Sequence, residues 1–324
     1  MTEASLNPPA TPITHRISVK GKMRSTRALK IDDHVIVISG TFLRVAKIFD
    51  AYWLEAATLP DPRHVVERLR KVEHRPDLFT FTQRVPDTHP ALDYHLEWDN
   101  VAVVPVTTHE DWLHKQISPA SRRNVRTSER KGVVVRECAF DEAYIRGIMS
   151  ISDESPFRAG RRYWHYGKDF ATVEAEQGTY QDRATYLGAF IGEEMVGYLK
   201  LVWDTRTAAI MQIVSKVKYR DTRPNNALLS EAVKRCAARG VGYLQYERFV
   251  YGNKLESSLT RFKRENGFVR MDLPMYYVAL TTKGRLALRL GLQKNQKDRL
   301  PRWLTKPLLD LRDSWYTRQA LRHQ

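Results

Sequence analysis

The chain has 324 residues, 42% of them hydrophobic, enough to bury a sizeable core in one large domain or two ordinary ones. Its 53 Lys and Arg against 37 Asp and Glu give a net charge of +16, which favours polyanionic partners: nucleic acid, anionic lipid, an acidic carrier protein or a phosphate-bearing small molecule. The longest apolar runs fall far short of the roughly 20 residues of a membrane span, and two cysteines, Cys138 and Cys236, exclude a disulfide scaffold or a four-cysteine metal site and point to a reducing, cytoplasmic setting.

The opening MTEASLNPPATPITH is polar and proline-bearing, and residues 1–23 read as a disordered leader. HVIVISGTFLRVAKIFD (34–50) suggests two strands or one bulged at Gly40, PRHVVERLRKVE (62–73) a helix, and LFTFTQRV a strand. DYHLEWDNVAVVPV suggests two strands joined as a hairpin through Asp99 and Asn100, so that 24–110 forms a small β-rich unit. Ser118 as N-cap, Pro119 at the first helical position and Gly132 as terminator frame a nearly all-polar helix with five Arg or Lys and one Glu across 118–132. VVVREC (133–138) reads as a strand. Asp141 caps a helix whose Tyr144, Ile145, Ile148 and Met149 form an apolar stripe, and DFATVEAEQGTYQ can be helical. Residues 186–204 give two strands around a Gly-Glu-Glu turn, and 209–217 a third. The helix of 224–240 is capped by Asn225 or Asn226, with Ala227, Leu228, Val233 and Cys236 inside and Gly240 at its end. YLQYERFV is a strand, LESSLTRFKRENG a helix ended by Gly267, and VRMDLPMYYVAL a strand pair broken at Pro274. The remaining 281–324 carries eleven Lys and Arg against three Asp and reads as a basic helical tail.

From Val133 the order is strand, helix, loop, helix, three strands, helix, strand, helix, strand. It resembles the GNAT acyltransferase fold over roughly 130–280, which implies an α+β domain at 111–280 with a mixed sheet flanked by helices. Where that superfamily has R/Q-x-x-G-x-G/A-x-x-L, this chain runs from Arg220 through Asp221, Thr222, Arg223, Pro224, Asn225, Asn226 and Ala227 to Leu228; Arg220 and Leu228 fit, and Arg223 and Asn225 stand in glycine positions. The segment S-L-x-x-F-K-x-x-x-G-F (Ser258–Phe268) and the basic run from Leu113 to Val133 are similar to the branch holding the GNAT-like acyltransferases of polysaccharide gene clusters and the Fem-type aminoacyl-tRNA-dependent transferases.

The resemblance implies attack of an amine on a thioester, with acyl-CoA (acetyl-CoA) as co-substrate and no metal. Its phosphates would lie at the 224–240 helix N-terminus, along Gln212, Ile213, Val214, Ser215, Arg220, Arg223, Asn225, Asn226 and Ala227, with amides turned outward at a gap between two diverging strands. A backbone N–H near Ile213 or Val214 would receive the oxyanion. Glu247, ahead of Asp204 and Glu194, is the candidate base, and Tyr251 the candidate acid for the leaving group. SPFRAGRRYWHYGKDF (155–170) sets five cationic or imidazole groups among five aromatics over the acceptor side. Arg158, Arg161, His165, Tyr166 and Lys168 would grip an anionic ligand there, unless Trp164, Tyr166 and Phe170 merely seal the loop. No H-E-x-x-H or C-x-x-C occurs. The expected activity is N-acyl transfer from acyl-CoA or an acyl carrier protein to an amine; the alternatives are a Fem-type aminoacyl-tRNA donor, or non-catalytic binding of RNA or anionic membrane through the tail, where KGRLALRLGLQK sets leucines among cations.

Overall fold

The computed structural model describes residues 10–19, 22–158, 161–252 and 257–294. They form two compact units, one from the chain up to Asp99 together with Asp272–Arg299, the other from Asn100–Met271. The sequence divides the chain instead at 110 and 280.

In the first unit β1 (Thr11–Val19), β2 (Lys22–Ile31), β3 (His34–Ser39) and β4 (Val45–Ile48) make an antiparallel meander; α1 (Pro62–Arg70) follows, and β5 (Leu78–Thr82) runs parallel to β4. Part of the expected leader is therefore strand. Thr11 to Val19 pairs residue for residue with β2, and alternation brings Ile13 and Ile17 to partly buried positions. Asp61 caps α1 by accepting from the Arg63 N–H at 2.8 Å, and Val65, Val66 and Leu69 pack among Ile31, Ile36 and Phe79.

The second unit takes β6 (His95–Pro105) from Asn100 onward, then α2 (His109–Asp111), α3 (Pro119–Arg130), β7 (Val134–Glu137), α4 (Glu142–Ser152), the two-residue strands β8 (Phe157–Arg158) and β9 (Arg161–Arg162), and α5 (Phe170–Gln177). β10 (Ala184–Ile191), β11 (Glu194–Trp203) and β12 (Thr207–Ser215) form its meander, α6 (Pro224–Ala238) follows, and β13 (Tyr243–Gln245) lies parallel to β12. α7 (Ser258–Glu265) completes it. Both units thus repeat one motif: an antiparallel meander, a helix, then a strand parallel to the last. On one face of the second sheet α6 packs Leu228, Leu229, Ala232, Val233 and Cys236 against Leu187, Val196, Leu199 and Leu201. On the other, α4 and α5 pack Tyr144, Ile145, Ile148, Ile151 and Val173 against Tyr186 and Tyr198.

β14 (Val269–Ala279) then pairs antiparallel with β5, and α8 (Thr282–Arg289) follows. Two expected breaks are absent. Asp99-Asn100 is no hairpin turn, because the Asn100 side chain binds the main chain of Val250 (Oδ1 from its N–H at 2.7 Å, Nδ2 to its carbonyl at 3.3 Å) and β6 runs on. Pro274 does not split β14, since the ladder there needs its carbonyl, which accepts from Gln83 N–H at 2.9 Å, and not the N–H that proline lacks. Of the basic tail, α8 is helical as expected and residues 295–324 lie outside the described residues.

Candidate functional site

β12 and β13 pair through only three positions, ending at Ala209 opposite Gln245. Beyond them β12 stays with β11 as far as Ser215, and Lys216 N–H reaches Val196 O at 2.8 Å. The chain after β13 stays instead with β6: Tyr246 N–H donates to Ala102 O at 2.9 Å and Ala102 N–H to Glu247 O at 2.8 Å. The two strands therefore part, as the sequence reading required. A bulge at Met211, between the pairs Leu201–Ile210 and Lys200–Gln212, bends β12 where the parting begins.

The amides flanking this gap are less available than expected. Val217 and Lys218 N–H donate to the two carboxylate oxygens of Glu154, at 2.5 and 2.7 Å, and Ser215 O accepts from Arg158 Nη1 at 2.7 Å. In the turn before α6, the N–H groups of Arg220, Thr222, Arg223, Asn226 and Ala227 bond to carbonyls within 217–223, and Pro224 has no N–H. The cap is Arg223, in the left-handed region at φ 59°, and not Asn225 or Asn226; its side chain caps nothing and stays exposed. Proline at the first helical position fixes this start.

Charged and polar side chains lie beside this turn. A cavity of about 460 Å³ is lined by Ser121 and Asn124 of α3, Arg220, Arg223 and Asn226 at α6, and residues of α7 that include Arg261. Residues of α3, α6 and α7 thus meet at one cavity lined by three arginines and by Glu265, whose carboxylate accepts from Arg261 Nε at 2.8 Å. Asn226 and Ala227 are themselves structural: Asn226 Nδ2 donates to Asn266 Oδ1 at 2.9 Å, and Ala227 belongs to the core. The buried Asn225 Oδ1 has no hydrogen-bond partner. Arg122 is tied to Leu113 O and His114 O, whereas Arg123, Arg126 and Arg130 are exposed along α3.

Glu247 and Tyr251, the expected base and acid, are brought together: the Tyr251 hydroxyl donates to the Glu247 carboxylate. Glu247 sits two residues past the last β12–β13 pair, exposed and at φ 46°, a backbone conformation costly for a residue with a side chain. Lys263 holds this turn. Fully buried, it donates to Tyr246 O at 2.6 Å and Arg248 O at 2.7 Å, the carbonyls on either side of Glu247, and burial pushes its ammonium down to about 8. In the sequence Lys263 stands out only as the lysine of S-L-x-x-F-K, with no role attached to it. The weaker base candidates lie elsewhere, Glu194 with Lys216 and Tyr219, Asp204 at the turn after β11.

The described residues of 155–170 divide. Arg158 is an internal tie, bound to Ile151 O at 2.5 Å and to Ser215 O, and stacked 4.6 Å from the Tyr163 ring centroid. Lys168 reaches both Glu176 oxygens, at 2.5 and 2.6 Å. Burial alone would raise the Glu176 pKa, but hydrogen bonds from His165 and Lys168 hold it below the usual carboxylate value. His165 Nδ1 lies 3.2 Å from Lys168 Nζ and its Nε2 faces the Gln212 amide at 3.5 Å; Gln212 Oε1 accepts from Gln177 Nε2 at 2.6 Å. Gln177 O in turn accepts from the buried Lys200 at 2.6 Å. His165, Lys168 and Gln212 are candidates in the sequence, but no local signal joins them to one another or to Glu176, Gln177 and Lys200. Tyr166 and Trp164 are exposed, so neither seals the loop, and the Arg161 side chain lies outside the described residues. No group of three or more metal-ligating side chains occurs among the described residues, and none of their helices is long and apolar enough to cross a membrane.

A mixed sheet flanked by helices, parted after β12 with a helix starting at the gap, defines the GNAT fold, and residues 119–264 match the family model of the acetyltransferase (GNAT) domain. That stretch of the chain has the GNAT fold. No curated protein matches the sequence. Among solved structures, FemX is similar at a TM-score of 0.51 and 9% identity, over 86% of this chain and 90% of its own. The C-terminal domain of a putative lysylphosphatidylglycerol synthetase from Agrobacterium fabrum is similar at 0.51 and 12% identity, over 86% of each. L-PGS from Bacillus licheniformis follows at 0.50 and 16%, over 82% of this chain and 88% of its own. At such identities the likeness is one of fold.

Proposed function

We propose that the GNAT domain transfers an acyl group to an amine at the gap between β12 and β13, from a carrier whose phosphates are held by arginine side chains, and that this carrier is an aminoacyl-tRNA. The observation that carries the donor choice is the α6 turn. The N–H groups of Arg220, Thr222, Arg223, Asn226 and Ala227 bond internally and Pro224 contributes none, while Arg220, Arg223 and the Glu265-paired Arg261 line the adjoining cavity. A diphosphate held by amides at a glycine turn is poorly served there, whereas a phosphodiester chain gripped by guanidinium forks is well served. The exposed Arg123, Arg126 and Arg130 on α3 extend the positive surface.

In this reading the amine gives a proton to Glu247 as its nitrogen bonds to the acyl carbon, and the Tyr251 hydroxyl, bonded to Glu247, returns a proton to the leaving ribose oxygen. The outward N–H groups of β12 near Ile213 receive the oxyanion. His165 and Tyr166 face the acceptor, and Lys168, Glu176 and Gln212 hold His165 in place. Acyl-CoA, or an acyl carrier protein, is the second reading, favoured by the edge of β12 from Ile210 to Val214, which β13 does not pair and which an extended pantetheine arm could follow. The setting is cytoplasmic, and contact with an anionic membrane through the basic segment after residue 280 is compatible with either donor.

Thermal unfolding with tRNA, CoA and acetyl-CoA, each over a salt series, tests the choice. Stabilisation by tRNA that fades steeply with salt is expected. Stabilisation by CoA alone, insensitive to salt, transfers the assignment to acyl-CoA, and none from any of the three defeats the donor site.

A further inference from the structure

A cationic, apolar surface lies on the first unit. α8 is clamped to the residue before β5. Leu280 N–H donates to Asp77 O at 2.9 Å and Thr281 Oγ1 to Asp77 Oδ1 at 3.0 Å, and Gly284 approaches so closely that a Cβ there would fall 2.0 Å from Asp77 O. With Gly284 and Ala287 fixed inward, Leu286 and Leu290, one turn apart on the opposite face, are held outward at 55% and 60% exposure. Lys283 continues their stripe. Its ammonium donates to the carbonyl of Phe42 and lies 4.3 Å from the Phe42 ring centroid, so this 72% exposed aromatic, at the tip of the β3–β4 loop, adjoins the helix. Leu292 is exposed just beyond. Residues 281–294 hold Lys283, Arg285, Arg289 and Lys294 and no acidic residue, and the three cations after Lys283 are exposed.

We propose that this face, Phe42 with Leu286, Leu290 and Leu292 ringed by Arg285, Arg289 and Lys294, and braced by Lys283 through its 3.7 Å pair with Asp77, docks the protein on an anionic phospholipid surface. Aromatic and aliphatic side chains enter the boundary between headgroup and acyl chain while the cations meet lipid phosphates. Charge decides against the other occupants. A second copy would oppose like charges across the contact, and the chain after Lys294 carries seven Lys and Arg against three Asp, so it too would be repelled. RNA would satisfy the cations and leave the leucines in water. The surface does not depend on the transferase reading.

The test is co-sedimentation of the full chain with vesicles of phosphatidylcholine alone and of phosphatidylcholine with about one quarter phosphatidylglycerol. Binding to the anionic vesicles is expected to be about tenfold tighter or more, and to fall by about tenfold in the combined Phe42→Ser, Leu286→Ser, Leu290→Ser variant. Arg285→Glu with Arg289→Glu should weaken binding and flatten its dependence on salt. Unfolding curves check that the variants stay folded, and single Leu286→Ser and Leu290→Ser proteins replace the triple variant if it does not. Wild-type protein that ignores anionic vesicles overturns the proposal. So does a serine variant that binds as wild type, whether its charges then hold RNA instead or deletion of 295–324 removes the binding, and so does a wild-type dimer that the serine variant dissolves while vesicle binding stays unchanged.

Discussion

Lys263 donates to the main-chain carbonyl of Tyr246 at 2.6 Å from a fully buried position, and with its bond to Arg248 O it fixes the turn that carries Glu247. Lys263→Met fills the space yet leaves two carbonyls without a donor. We expect a loss of about 2–4 kcal/mol in stability, measured by urea unfolding. Turnover should fall further than the unfolded fraction accounts for, because Glu247 loses its held conformation. A variant with full activity per folded molecule would remove Lys263 from the site.

Glu247→Gln should lower kcat by about a hundredfold or more with the melting temperature unchanged, since an exposed carboxylate contributes little to stability while a base contributes about 10²–10⁴ to rate. Tyr251→Phe should give a smaller fall, restored in part by a donor with a better leaving group. Single-turnover kinetics reads both, and a Glu247→Gln enzyme within about threefold of wild type would move the base elsewhere.

Arg220→Ala and Arg223→Ala should each weaken donor binding and lower the slope of log K against log salt by about 0.7 for every phosphate of single-stranded RNA that is no longer neutralised. Fluorescence anisotropy of labelled tRNA measures this. Equal slopes in wild type and both variants would mean that neither guanidinium meets a phosphate.

Lys200 predicts a pH dependence. Burial pushes its ammonium down to about 8, below the roughly 10.4 of an unfolded lysine. Between those values the unfolded chain binds the extra proton, so stability rises with pH across that window. Lys263 acts in the same direction. Above about 10 the trend reverses, because burial raises Tyr186 to about 12, so the folded state retains a proton that the unfolded chain gives up. Urea midpoints from pH 7 to 10 should climb, and Lys200→Met should flatten part of the climb.

The sequence by itself determined the elements whose signals are local. Ser118 and Asp141 cap α3 and α4 through their own side chains, Gly40, Gly132, Gly192 and Gly240 take the positive φ that ends each element, and the apolar stripe of α4 faces inward. The element order from Val133, and hence the GNAT fold, followed from these. Tertiary structure decided where local signals compete with distant partners. Asn100 looks like a turn residue until Val250 supplies its bonds, Pro274 looks like a breaker until Gln83 needs only its carbonyl, and Thr11–Val19 looks unstructured until β2 pairs with it. At the site, the resemblance implies Glu247 and Tyr251 as candidates, and folding sets the Tyr251 hydroxyl on the Glu247 carboxylate. The bonds of Glu154 to Val217 and Lys218, of Lys263 across Glu247 and of Lys200 to Gln177 join groups 15 to 64 residues apart, and only folding brings such groups within bonding distance.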